Sequence, residues 1–172
     1  MNNETQPSLA PDYALWFHAA TGHRRPHEWQ CKLASDEVCR SRLIRIPTGL
    51  GKTLGVLSVW LYHRVVRGDE TWPRRLVWTL PMRVLVEQTV AVAQDVLTQA
   101  DLLWDGKPDT HGGKVGVHLL MGGEDAGEWR LHPEKSAILV GTQDMLLSRA
   151  LNRGYGSSRA RWPTEYGLIT SD

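Results

Sequence analysis

Apolar positions along this chain alternate between short continuous runs, which suit buried strands, and stripes spaced three and four residues apart, which suit helices with one buried face. After a polar stretch over residues 1–12, expected to be a flexible N-terminus, the spacing predicts a short helix over 13–20. A Gly-His-Arg-Arg-Pro turn at 22–26 and a helix over 27–34 follow. The run at 43–46 predicts a strand, and Leu54, Leu57, Leu61 and Val65 mark one buried face of a helix from Lys52 to Arg67 that stops at Gly68. A strand over 76–80 leads to a helix over 84–100 with two adjacent apolar rows, a stripe wide enough for a helix packed hard against a sheet. Residues 101–113 form a polar loop with Asp-Gly, Lys-Pro and Gly-Gly punctuation. Strands over 115–120 and 137–140 and a helix over 143–151 complete the pattern. Nearly all-apolar strands alternating with helices predict an α/β fold: a mostly parallel sheet with helices on both faces.

A chain of 172 residues is one domain's worth and long enough to bury a core without staples. No basic segment leads into an apolar stretch near the N-terminus, and no apolar run is long enough to span a bilayer, so the expectation is a soluble, unexported, cytoplasmic protein without a membrane partner. In that compartment Cys31 and Cys39 read as partly buried, unpaired thiols, and His27 alone is too little for a zinc site beside them. A net charge of +1 gives no global attraction to nucleic acid, so any such binding must come from a local arrangement of positive groups and helix ends. The eight tryptophans are scattered singly and read mostly as core or interface filler.

Chemistry enters at Ile46-Pro47-Thr48-Gly49-Leu50-Gly51-Lys52-Thr53, between the apolar run at 43–46 and a long amphipathic helix. This is a phosphate-binding loop in its proper setting. Gly49 and Gly51 allow backbone conformations that turn successive N–H groups from Thr48 through Leu50 and onward toward phosphate oxygens, and the following helix adds its positive N-terminal end. Lys52 would reach the β- and γ-phosphates of ATP, and the Thr53 hydroxyl would ligate Mg²⁺. The loop pattern usually begins with Gly or Ala; Ile46 stands there instead, which predicts altered packing under the loop and retained binding.

Three strand ends carry further signals. Pro81 closes one strand and Arg83 falls in the first turn of the next helix, suited to a nucleic-acid phosphate. Gly122 and Gly123 would allow a polynucleotide backbone to approach closely, and Gly141 precedes Thr142, placed to cap a helix or donate to a phosphate. Upstream, Gln30 lies 22 residues before Lys52, and its amide could accept from the adenine amino group and donate to a ring nitrogen. Each of these residues also has an ordinary structural reading; their order behind the loop favours the functional one.

With these motifs in place, the chain from about Phe17 onward resembles the first motor lobe of superfamily 2 helicases, a RecA-like domain. Residues 80–89, 140–156 and 161–169 are similar to the helicase–nuclease effector of type I CRISPR systems. The resemblance implies antiviral defence: recruitment to a guide-RNA surveillance complex, ATP-driven translocation on single-stranded DNA, and delivery to a metal-dependent nuclease domain. It makes Gln30 the adenine reader, Lys52 and Thr53 the ATP and Mg²⁺ residues, and Arg83 and Thr142 DNA-backbone contacts.

Hydrolysis needs an acidic pair at a strand end, and the only Asp-Glu pairs are Asp36-Glu37 and Asp69-Glu70, neither placed after a strand. The expectation is therefore a first lobe over 13–172, incomplete at its C-terminal end, without the second lobe or the nuclease domain. A non-catalytic nucleotide- or nucleic-acid-binding module, and a piece of a restriction or repair helicase acting on DNA or RNA, are the competing readings.

Overall fold

The computed structural model describes residues 12–22, 25–107, 113–121, 128–151 and 166–167. In chain order it contains α1 (Tyr13–Ala20), α2 (Glu28–Ala34), α3 (Lys52–Trp60) with a π-helical continuation (Leu61–Val66), and β1 (Arg75–Leu80). Then come α4 (Arg83–Gln99), β2 (Gly116–Leu120), one 3-10 turn (Glu128–Leu131), β3 (Ala137–Thr142) and α5 (Gln143–Ala150). Asp12 opens α1 by accepting the Ala14 N–H at 2.8 Å, which satisfies one of the donors left free by the first helical turn.

The sheet has the order β1-β3-β2, and both pairings are parallel. In the central strand successive side chains point to opposite faces. Ile138 and Val140 join a core built with Phe17, Leu57, Leu61, Val86 and Leu97, from α1, α3 with its continuation, and α4. Ala137 and Leu139 join a second core with Leu120, Trp129, Met145 and Leu146. Helices thus cover both faces, the α/β arrangement that the continuous apolar strands predicted. Leu57, Leu61 and Leu97 are all but inaccessible, and burying each such side chain contributes about 1.5–3 kcal/mol.

The helix expected from Lys52 to Arg67 is helical to Val66, but its final turns widen to π geometry. This places the fully buried His63 ring flat on Trp72, with centroids 4.2 Å apart. Nε2 of His63 lies 2.9 Å from the Ala34 carbonyl, which can only accept, so the proton sits on Nε2 and ties the end of α2 to the loop helix. Gly68, at φ +65°, ends the helix where expected, and the Asp69 N–H returns to the His63 carbonyl at 3.0 Å.

Two expectations fail. Residues 43–46 do not form a strand: Ile44 and Ile46 are half-buried and Leu43 and Arg45 exposed, the alternation of an extended chain, but no strand of the described residues pairs with them. A strand exists only as part of a hydrogen-bonded pair, so the apolar run alone was not sufficient. Ile44 and Leu76 of β1 both line a cavity of about 290 Å³, and a second of about 310 Å³ opens against residues 42–46. Cys31 and Cys39 are exposed free thiols, not partly buried ones. The buried side of α2 is taken by Gln30 and Ala34, which turns Cys31 outward, and Cys39 lies in the unpaired stretch before the loop. Among the described residues no group of His, Cys, Asp and Glu is arranged to hold a metal ion, and no helix is long and apolar enough to cross a membrane.

Candidate functional site

The loop at 46–53 has the form its glycines require. Gly49 and Gly51 adopt φ of +88° and +67°, the left-handed region that side chains disfavour, and Gly51 is the N-cap of α3. Lys52 and Thr53 are the first two helical residues, and the first turn carries no acidic side chain to oppose an anion. Thr48, Gly49 and Leu50 are exposed; Gly51, Lys52 and Thr53 are half-buried. The Lys52 ammonium folds back and donates to the carbonyls of Ile46 at 2.7 Å and Pro47 at 2.9 Å. Ile46 thus meets Lys52 through its carbonyl, while its side chain is half-buried.

Gln30 lies directly beneath. It is buried, its Oε1 accepts the His27 N–H at 2.8 Å, and its Nε2 donates to the Gly51 carbonyl at 3.1 Å. In this geometry Gln30 braces the loop. Its neighbour Trp29 does likewise, the indole N–H donating to the Leu50 carbonyl at 3.2 Å. Sequence reasoning passed over Trp29 as filler, and also Gly55, although a glycine inside an apolar helix is itself a signal because alanine is favoured there by about 1 kcal/mol.

The candidate nucleic-acid residues gather at one edge of the sheet. Leu80 is in register with Thr142 and Leu120 with Gly141, so β1, β2 and β3 all end there. Pro81 and Arg83 are exposed at this edge. Thr142 is the N-cap of α5 by backbone position, but its hydroxyl makes no capping bond; the cap role is not taken and the hydroxyl is left for another partner. Gly141 is buried, and a Cβ on it would stand 2.7 Å from the Leu120 carbonyl oxygen, so its small size is accounted for by packing against β2. Gly122 and Gly123 lie outside the described residues.

Neither acidic pair approaches this machinery by way of a strand end. Asp36 pairs with Arg42, and Asp69 accepts from both the backbone N–H and the hydroxyl of Thr71, at 2.9 and 2.7 Å. The Thr71 hydroxyl is the main reason the Asp69 carboxyl is held below its ordinary pKa.

Comparison with known families agrees with this geometry. No curated protein and no solved structure matches the chain. The sequence model of the DEAD/DEAH box helicases matches residues 31–162, which takes in the loop, the three strands and the helices that follow them, and begins one residue after Gln30. That match spans well over half of the 172 residues: the chain belongs to the DEAD/DEAH box helicase family and contains an ATP-binding, helicase-type module.

Proposed function

We propose that this chain binds ATP with Mg²⁺ at the 46–53 loop and serves as the first motor lobe of an ATP-dependent DNA translocase in CRISPR interference, working in the cytoplasm. The observation that carries nucleotide binding is the left-handed Gly51 cap, which opens α3 directly onto Lys52 and Thr53. An arriving polyphosphate would compete with the Ile46 and Pro47 carbonyls for the Lys52 ammonium, while N–H groups of residues 48–53 surround its oxygens. The Thr53 hydroxyl would ligate the metal ion, which supplies charge neutralisation between the β- and γ-phosphates when bound.

The DNA role is supported by Pro81, Arg83 and Thr142 lying at one sheet edge, and the CRISPR role by the stretches at 140–156 and 161–169. By the same resemblance the partners are single-stranded DNA, a guide-RNA surveillance complex, a second helicase lobe and a nuclease domain. That neither Asp36-Glu37 nor Asp69-Glu70 follows a strand favours binding without turnover by these 172 residues on their own.

Titration calorimetry with Mg·ATP tests the nucleotide site. Binding by the wild type and its loss in Lys52→Ala are expected; equal heats in the two would remove the assignment.

A further inference from the structure

Two successive residues of α2 hold two successive carbonyls of the phosphate loop: Trp29 holds that of Leu50, at 3.2 Å, and Gln30 that of Gly51, at 3.1 Å. In a planar trans peptide the C=O and N–H point in opposite directions. Drawing the Leu50 carbonyl toward α2 therefore turns the N–H of Gly51 away from it, toward the side from which a phosphate is bound, while the Gly51 carbonyl also accepts the Gly55 N–H at 2.8 Å, the first bond of α3.

This arrangement requires α2 to lie very close to α3. A Cβ on Gly55 would stand 2.3 Å from Cη2 of Trp29 and 2.9 Å from Cγ of Gln30. Gly55 has no left-handed backbone angle to explain it, so its place inside the helix is accounted for by the seat it makes for the indole.

We propose that Trp29 is a positioning residue of the nucleotide site, acting through the Leu50 carbonyl to orient the peptide units that receive phosphate. The inference rests on reading residues 46–53 as that site. Because Trp29 acts on the phosphate cradle, its indole N–H contributes equally to every ligand that carries a polyphosphate, whatever its base.

The test is calorimetry on the full chain as wild type, Lys52→Ala and Trp29→Phe, with Mg·ATP, Mg·GTP and inorganic tripolyphosphate. Phenylalanine keeps an aromatic ring in the seat and removes only the donor. Trp29→Phe is expected to melt like the wild type and to bind all three ligands more weakly by one common factor, between about twofold and tenfold, the size of one neutral hydrogen bond. Wild-type affinity for tripolyphosphate in Trp29→Phe would overturn the inference, and so would a loss confined to ATP, which would place the ring against the base. If Trp29→Phe melts early, a folded Gly55→Ala variant, whose methyl displaces the indole, must show the same uniform loss, and wild-type affinity there overturns the proposal. Failure of the loop assignment is recognised separately, by a wild type that binds none of the ligands or a Lys52→Ala variant that binds them all.

Discussion

Leu80 and Thr142 are Cα partners at the ends of neighbouring parallel strands, so the turn carrying Pro81 and Arg83 leaves the sheet beside the start of α5. A single strand crossing this edge would meet a guanidinium and a hydroxyl together. Arg83→Ala is expected to weaken binding of oligothymidine and to reduce the slope of log K against log salt by about 0.7, the contribution of one phosphate contact on a single strand. Thr142→Val should weaken binding without changing the slope, since a hydroxyl releases no counterion. Fluorescence anisotropy across a salt series decides; unchanged affinity in both variants would exclude a shared track.

Gln30 has one acceptor and one donor engaged beneath the loop, and each can take a second partner. Gln30→Ala is expected to lower stability by about 2 kcal/mol, the net value of its two hydrogen bonds. If the amide also meets adenine, the preference for ATP over GTP narrows in the variant. An unchanged preference in competition calorimetry would leave Gln30 as a brace alone.

Gly55→Ala would stabilise an ordinary exposed helix by about 1 kcal/mol. Here the methyl would stand 2.3 Å from Trp29, and the expected result is a loss of about 1–3 kcal/mol from overpacking. Urea unfolding measures it, and a gain in stability would show that α2 does not sit where it is described.

Burial lowers the pKa of His63 from its ordinary 6.5; the hydrogen bond to the Ala34 carbonyl opposes it most, Arg67 adds to the lowering, and Asp69 and Asp36 oppose it. The folded state therefore favours the neutral ring, and below pH 6.5 the unfolded chain takes up a proton that the folded chain resists. Stability supplied by neutral His63 is present above that pH and is lost as pH falls toward the folded-state value. Melting temperature should fall between about pH 7.5 and pH 5.5, and His63→Gln should flatten that fall. An identical pH dependence in the variant would refute the assignment.

These 172 residues by themselves are expected not to release phosphate from ATP above the rate of Lys52→Ala, with or without single-stranded DNA. Neither Asp-Glu pair of the sequence, Asp36-Glu37 or Asp69-Glu70, follows a strand to organise water and Mg²⁺, and removing a group that stabilises the transition state costs on the order of 100-fold or more in rate. DNA-stimulated turnover abolished by Lys52→Ala would reveal a catalytic carboxylate among these residues.

The amino-acid sequence by itself determined the helices, including α1 and α2, the strands β1 to β3 and the phosphate loop, because all are local. Spacing of three and four residues selects a helix face, apolar runs select buried strands, and Gly49, Gly51, Lys52 and Thr53 occupy one short stretch. Tertiary structure alone decided which of the described strands lies at the centre, since β3 comes last among them and is flanked by β1 and β2 only once their edges meet. It also decided that residues 43–46 have the pattern of a strand and no pairing among the described residues, because a hydrogen-bonded ladder depends on a neighbour that periodicity cannot supply. Trp29, Gln30 and Gly55 converge for the same reason. The bonds from α2 to Leu50 and Gly51 each span 21 residues, and nothing local to either segment records that the two will touch.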